Sequence, residues 1–111
     1  MPIGTGLHET SYTVTVDDVP VIGRIIEGAT GIKSFVYASS DELARDLDRL
    51  QPIGVFVDVH LANDQSGLEI IPRLKQVWPD APLLVITSDP ESNLVSDALA
   101  AGADDFLRKP L

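Results

Sequence analysis

Residues 53–58 read Ile53-Gly54-Val55-Phe56-Val57-Asp58, a short apolar run rich in β-branched and aromatic side chains that ends on a carboxylate. A run this short, apolar on alternate and intervening positions alike, predicts a strand buried on both faces, the kind found in a parallel sheet with helices on either side. Leu83-Leu84-Val85-Ile86-Thr87 repeats the pattern downstream, and Tyr12-Thr13-Val14-Thr15-Val16 precedes it. Five strands are expected in all: Tyr12 to Val16, Ser34 to Ala38, Ile53 to Asp58, Leu83 to Thr87, and Asp105 to Arg108.

Segments of helical period lie between these runs. Val21, Ile22, Ile25, Ile26 and Ala29 form an apolar stripe that Pro20 opens and Gly31 closes. The second helix begins with Ser39 three residues before Glu42, a capping-box spacing, and carries Leu43, Ala44, Leu47 and Leu50. Ser66 and Glu69 repeat that spacing before Leu68, Ile71, Leu74 and Val77, with Pro72 expected to bend this third helix near its start. Asp89-Pro90 opens a fourth helix whose face is Leu94, Val95, Ala98 and Leu99, and Gly102 stops it. Strand and helix alternating in this way imply right-handed crossovers and a doubly wound open α/β sheet.

The 111 residues suffice for one compact domain, and the absence of cysteine excludes disulfide frameworks and thiolate metal sites. Seventeen acidic against eight basic side chains give a formal charge of -9, the wrong sign for neutralising nucleic-acid phosphates, so no nucleic-acid binding is expected of this segment. No apolar run approaches the roughly 20 residues that cross a bilayer, and residues 1–10 lack the basic and apolar regions of a signal peptide. No membrane association and a cytoplasmic location are the expectations.

In doubly wound sheets, ligands gather outside the carboxyl ends of the strands. Asp17 and Asp18 follow the first strand, Asp58 ends the third, Thr87 ends the fourth and Lys109 follows the fifth. Three carboxylates in one crevice repel, so either their pKa values rise or a divalent cation holds them ionised. An all-oxygen donor set points to Mg²⁺, and with Lys109 opposite it suits phosphoryl transfer with a carboxylate as nucleophile. Taken singly, Asp17-Asp18 reads equally well as a helix cap, Thr87 as a strand residue and Lys109 as a surface charge. Their joint placement at the strand ends carries the argument.

With these residues in view, the chain resembles the CheY-like receiver domain of two-component response regulators, over about residues 11–111. The resemblance rests on Asp17-Asp18, on Val55-Phe56-Val57-Asp58, on Leu84-Val85-Ile86-Thr87-Ser88, and on Gly102-Ala103-Asp104-Asp105-Phe106-Leu107-Arg108-Lys109-Pro110. It implies a flavodoxin-like sheet of order 2-1-3-4-5 and a signalling domain, not an enzyme in its own right. By resemblance, Asp58 accepts the phosphoryl group, and Asp18 and Asp58 bind Mg²⁺ with the backbone carbonyl of His60, Asp17 acting through water. Thr87 and Lys109 would bind phosphoryl oxygens, Phe106 would be the switch aromatic, and His60, Ser88 and Asp89 would modulate the reaction. The Lys109-Pro110 peptide is expected to be cis. Implied partners are a histidine kinase or phosphotransfer protein and an output domain or partner.

The chain also departs from the family's pattern. The loop His60-Leu61-Ala62-Asn63-Asp64-Gln65-Ser66-Gly67 lacks the usual Pro and is one residue longer before its Gly. Residues 1–10 read as a tail, and residues 11–111 as a receiver without its fifth helix. That leaves an apolar strip beside the first helix and predicts self-association or reduced stability. Two other readings compete with this one. A pseudo-receiver would act without phosphorylation, but its usual mark is loss of one of the residues just named, and none is missing. A cobalamin module is suggested by Asp58-Val59-His60, which resembles the start of an Asp-x-His-x-x-Gly motif, but Asn63 stands where the Gly belongs. His8 reads as incidental and Trp78 as a packing anchor.

Overall fold

A computed structural model describes residues 11–59, 67–89 and 93–110 of the chain. Its strands are β1 (Tyr12–Val16), β2 (Lys33–Tyr37), β3 (Gly54–Asp58), β4 (Leu83–Thr87) and β5 (Asp105–Arg108). All four strand pairings are parallel, in the order β2-β1-β3-β4-β5. The helices are α1 (Val21–Thr30), α2 (Ser40–Asp46), α3 (Ile71–Val77) and α4 (Asn93–Ala101). Doubly wound order and strand bounds agree with the sequence to within one residue at most ends.

Helix boundaries follow local chemistry. The Ser39 hydroxyl accepts the Glu42 N–H at 3.2 Å and starts α2, while the Glu42 carboxylate reaches the amide of Ala38 instead of that of Ser39. At its other end α2 tightens into a 3₁₀ turn, Leu47–Arg49. Gly31, at φ 73°, ends α1 with its N–H on the Glu27 carbonyl. Pro72, expected within the third helix near its start, stands at the beginning of α3. A 3₁₀ turn, Gly67–Ile70, precedes α3, so the proline falls in the first helical turn, where its missing N–H has no partner to lose.

Alternation along the strands divides the core in two. Val14, Val16, Val55, Val57 and Val85 point to one face, where Leu43, Leu47, Ile71, Leu74 and Ala98 of the three later helices and the 3₁₀ turn cover them. Each fully buried Leu or Ile there contributes about 1.5–3 kcal/mol. Trp78 is buried with this group and donates its ring N–H to the Leu50 carbonyl at 3.0 Å, an anchor as expected. Val77 and Leu99, expected on buried faces, are exposed: Trp78 fills the place of the one, and Val95 and Ala98 are the buried side of α4.

The opposite face carries a smaller cluster, Ile22, Ile26 and Ile86 with Phe56 against it. Only α1 lies there among the described residues. Three of the five residues of the α1 stripe are uncovered: Ala29, with Val21 53% and Ile25 40% exposed. A groove of about 420 Å³ runs between Val19, Ile22, Ile25 and Pro110 toward Ser88 and Lys109. The apolar strip expected beside the first helix is present. No described helix is long and apolar enough to cross a membrane.

Candidate functional site

The carboxyl ends of β1, β3, β4 and β5 meet at one rim. Register places Val16 beside Val57, Asp58 beside Ile86 and Thr87 beside Arg108, so the residues that follow these strands must converge. The Lys109 amide donates to the Thr87 carbonyl at 2.7 Å, which fixes the start of the lysine side chain next to β4. The Lys109-Pro110 peptide is cis.

From there the Lys109 ammonium reaches Asp58 Oδ2 at 2.7 Å and Asp17 Oδ2 at 3.1 Å. Asp17 is 1% exposed and Asp58 4%. Asp17 Oδ1 accepts the Val19 N–H at 2.9 Å, a turn within the loop before α1, while the N-cap position itself is Pro20 with no side-chain cap, so the helix-cap reading of Asp17-Asp18 does not hold. Its other oxygen, Oδ2, is buried without a hydrogen bond and has only the nearby ammonium. Burial pushes the Asp17 carboxyl above the usual aspartate range, against the Val19 N–H and Lys109, while the charge of Asp58 adds to the rise. For Lys109, burial works to depress the ammonium, but the hydrogen bond to Asp58 and the close negative charges of Asp58 and Asp17 outweigh it and raise the pKa above the ordinary lysine value.

Asp18 is exposed, yet one carboxylate oxygen from each of Asp17, Asp18 and Asp58 lies within 4.8 Å of the others. Three converging carboxylates, one with a buried oxygen lacking a hydrogen bond, fit a small divalent cation with oxygen ligands. His60, the fourth expected ligand, lies outside the described residues.

Thr87 is fully buried, and its hydroxyl turns toward the following loop, accepting the Asp89 N–H at 3.0 Å and donating to the Asp89 carbonyl at 3.1 Å. Ser88 and Asp89 are exposed at the mouth. Phe106 is half-buried and packs against the larger core, in register with Val85. Composition and spacing carry no sign that Tyr37 supports the site. Its carbonyl accepts the Asp17 N–H at 2.9 Å, and its hydroxyl donates to Asp46 at 2.8 Å, tying β2 to α2.

The fold is matched by known proteins. The family model described as the response regulator receiver domain matches residues 14–111. The chain belongs to that family. Over 93 residues it is 31% identical to a protein-glutamate methylesterase/protein-glutamine glutaminase of Treponema pallidum, covering 81% of this chain and 23% of that protein. It is 32% identical over 98 residues to the response regulator protein PilR of Pseudomonas aeruginosa, covering 86% of this chain and 22% of that one. The receiver thus spans about a quarter of the length of these two relatives. A response regulator from Burkholderia pseudomallei, solved with a phosphorylated aspartic acid, calcium ion and citrate, superposes with a TM-score of 0.80 at 28% identity, over 91% of this chain and 61% of that one. The chemotaxis protein CheY4 of Vibrio cholerae gives 0.78 at 19% identity, over 92% of this chain and 88% of that one, a likeness of fold. The receiver is a signalling domain of two-component systems, with strand order 2-1-3-4-5 and four α-helices among the described residues.

Proposed function

We propose that Asp58 of this receiver accepts a phosphoryl group from a phosphohistidine of a histidine kinase or phosphotransfer protein. The observation that carries this reading is the Lys109 ammonium held between the carboxylates of Asp17 and Asp58 at the strand ends. A carboxylate oxygen of Asp58 attacks phosphorus, the P–N bond of the donor breaks, and its electron pair leaves with the imidazole, which takes up a proton. Lys109 keeps Asp58 oriented and offers its charge to a phosphoryl oxygen.

Asp17, Asp18 and Asp58, with the backbone carbonyl of His60, would hold Mg²⁺, which when bound supplies charge against the incoming phosphoryl oxygens. The phosphorylated aspartic acid and calcium ion named for the Burkholderia pseudomallei response regulator support both assignments. Once Asp58 is modified, the Thr87 hydroxyl leaves Asp89 for a phosphoryl oxygen and Phe106 moves into the space behind it, changing the surface of α4 and β5 for an output partner. Ser88, Asp89 and His60 modulate the lifetime of the acylphosphate. We place this reaction in the cytoplasm.

The site assignment is tested by incubating the protein with a small-molecule phosphodonor and Mg²⁺, trapping the acylphosphate with borohydride and mapping the reduced residue. Reduction at Asp58 is expected. Reduction at Asp17 or Asp18 instead would reassign the nucleophile.

A further inference from the structure

The ends of the sheet's hydrogen-bond ladder are treated alike at both edges. β2 is one edge strand, and because the Asp17 N–H bonds the Tyr37 carbonyl, the amides of Lys33, Phe35 and Tyr37 turn toward β1 while those of Ser34, Val36 and Ala38 turn outward. Glu27, on α1, accepts the outward Ser34 N–H at 2.8 Å. Glu42, on α2, accepts that of Ala38 at 3.1 Å. These helices lie on opposite faces of the sheet, so two carboxylates reach around the same edge from either side. At the other edge, where the Lys109 N–H bonds back to β4, Asp105 accepts the Phe106 N–H at 2.8 Å.

Unpaired outward N–H groups are what an incoming strand uses, and a second copy of this chain would bring identical edges with identical charges. We propose that Glu27, Glu42 and Asp105 stopper the two edges of the sheet and block strand-to-strand association with a second copy. Two of the three outward amides along β2 are occupied, about 13 Å apart at 3.3 Å per residue, which leaves too short a free stretch for a ladder. Negative charge at all three stoppers also opposes a like edge in a chain whose net charge is -9.

Sedimentation velocity at several concentrations tests this, comparing wild type with Glu27→Ala/Glu42→Ala/Asp105→Ala and with Glu27→Gln/Glu42→Gln/Asp105→Asn, whose side-chain carbonyls still accept the amides. The alanine variant should show an average mass at least twofold above wild type at the highest concentration. The amide variant should fall much nearer wild type. A folded alanine variant that sediments as wild type overturns the proposal, and so does an amide variant that associates as strongly as the alanine one. Should the triple alanine variant not fold, Glu27→Ala against Glu27→Gln carries the same comparison on a single stopper.

Discussion

The Lys109 ammonium sits 2.7 Å from the Asp58 carboxylate although 51 residues separate the two in sequence, and the same ammonium lies 3.1 Å from Asp17. One cation thus holds together two carboxylates that would otherwise repel across a nearly dry crevice. Lys109 itself keeps a quarter of its side chain in solvent.

Removing that cation should cost stability. For Lys109→Met, a loss of about 1–3 kcal/mol in urea melts is expected, the range for leaving a buried polar group without its partner. Saturating Mg²⁺ should recover a large part of the loss, because a divalent ion screens the same carboxylates. A variant whose melting midpoint does not respond to Mg²⁺ would argue against a metal at Asp17, Asp18 and Asp58.

Much of this rim was legible from sequence because each group ends or follows a strand whose apolar composition is unmistakable. Val55-Phe56-Val57 can be little else, and Asp58 closes it. The capping residue Ser39 was legible for a similar reason, a local spacing with a local hydrogen bond. What stayed hidden depends on which neighbour arrives from far away. Nothing in the period of α1 distinguishes buried Ile22 from exposed Ile25, since that depends on whether a second helix lies against the sheet. Nor does the α4 pattern tell Ala98 from Leu99. The edge contacts of Glu27 and the tie from Tyr37 to Asp46 join groups whose proximity only the crossovers create.

Packing of α1 on β2 depends on a missing side chain. A Cβ at Gly23 would lie 2.4 Å from Val36 Cγ2, and the β-branched Val36 has little freedom to retreat. Gly23→Ala should therefore destabilise by about 1–3 kcal/mol in spite of its better helix propensity. Combined with Val36→Ala, the added methyl has room, so the double variant should lose less than the two single losses added together. Strict additivity in urea melts would show that the helix shifts as a body instead.

At the far end of the sheet, Asp104 accepts the Leu83 N–H at 2.8 Å and pairs with Lys75 at 3.1 Å. The Leu83 amide first, and then Lys75, hold its carboxyl below the ordinary aspartate value. A depressed folded pKa means stability that is present above the unfolded value and lost as pH falls through the folded one. Wild type should thus lose more stability between neutral and strongly acid pH than Asp104→Asn does. Urea midpoints measured for both proteins across that range check this, and parallel curves would remove Asp104 from the account.

The central claim is that Asp58 is the phosphoacceptor of a metal-assisted site. Intact mass after incubation with a small-molecule phosphodonor tests it most directly, on wild type with Mg²⁺, on wild type with chelator, and on Asp58→Asn with Mg²⁺. A single added phosphoryl group is expected in the first sample and none in the other two; equal labelling of Asp58→Asn would rule Asp58 out as the acceptor.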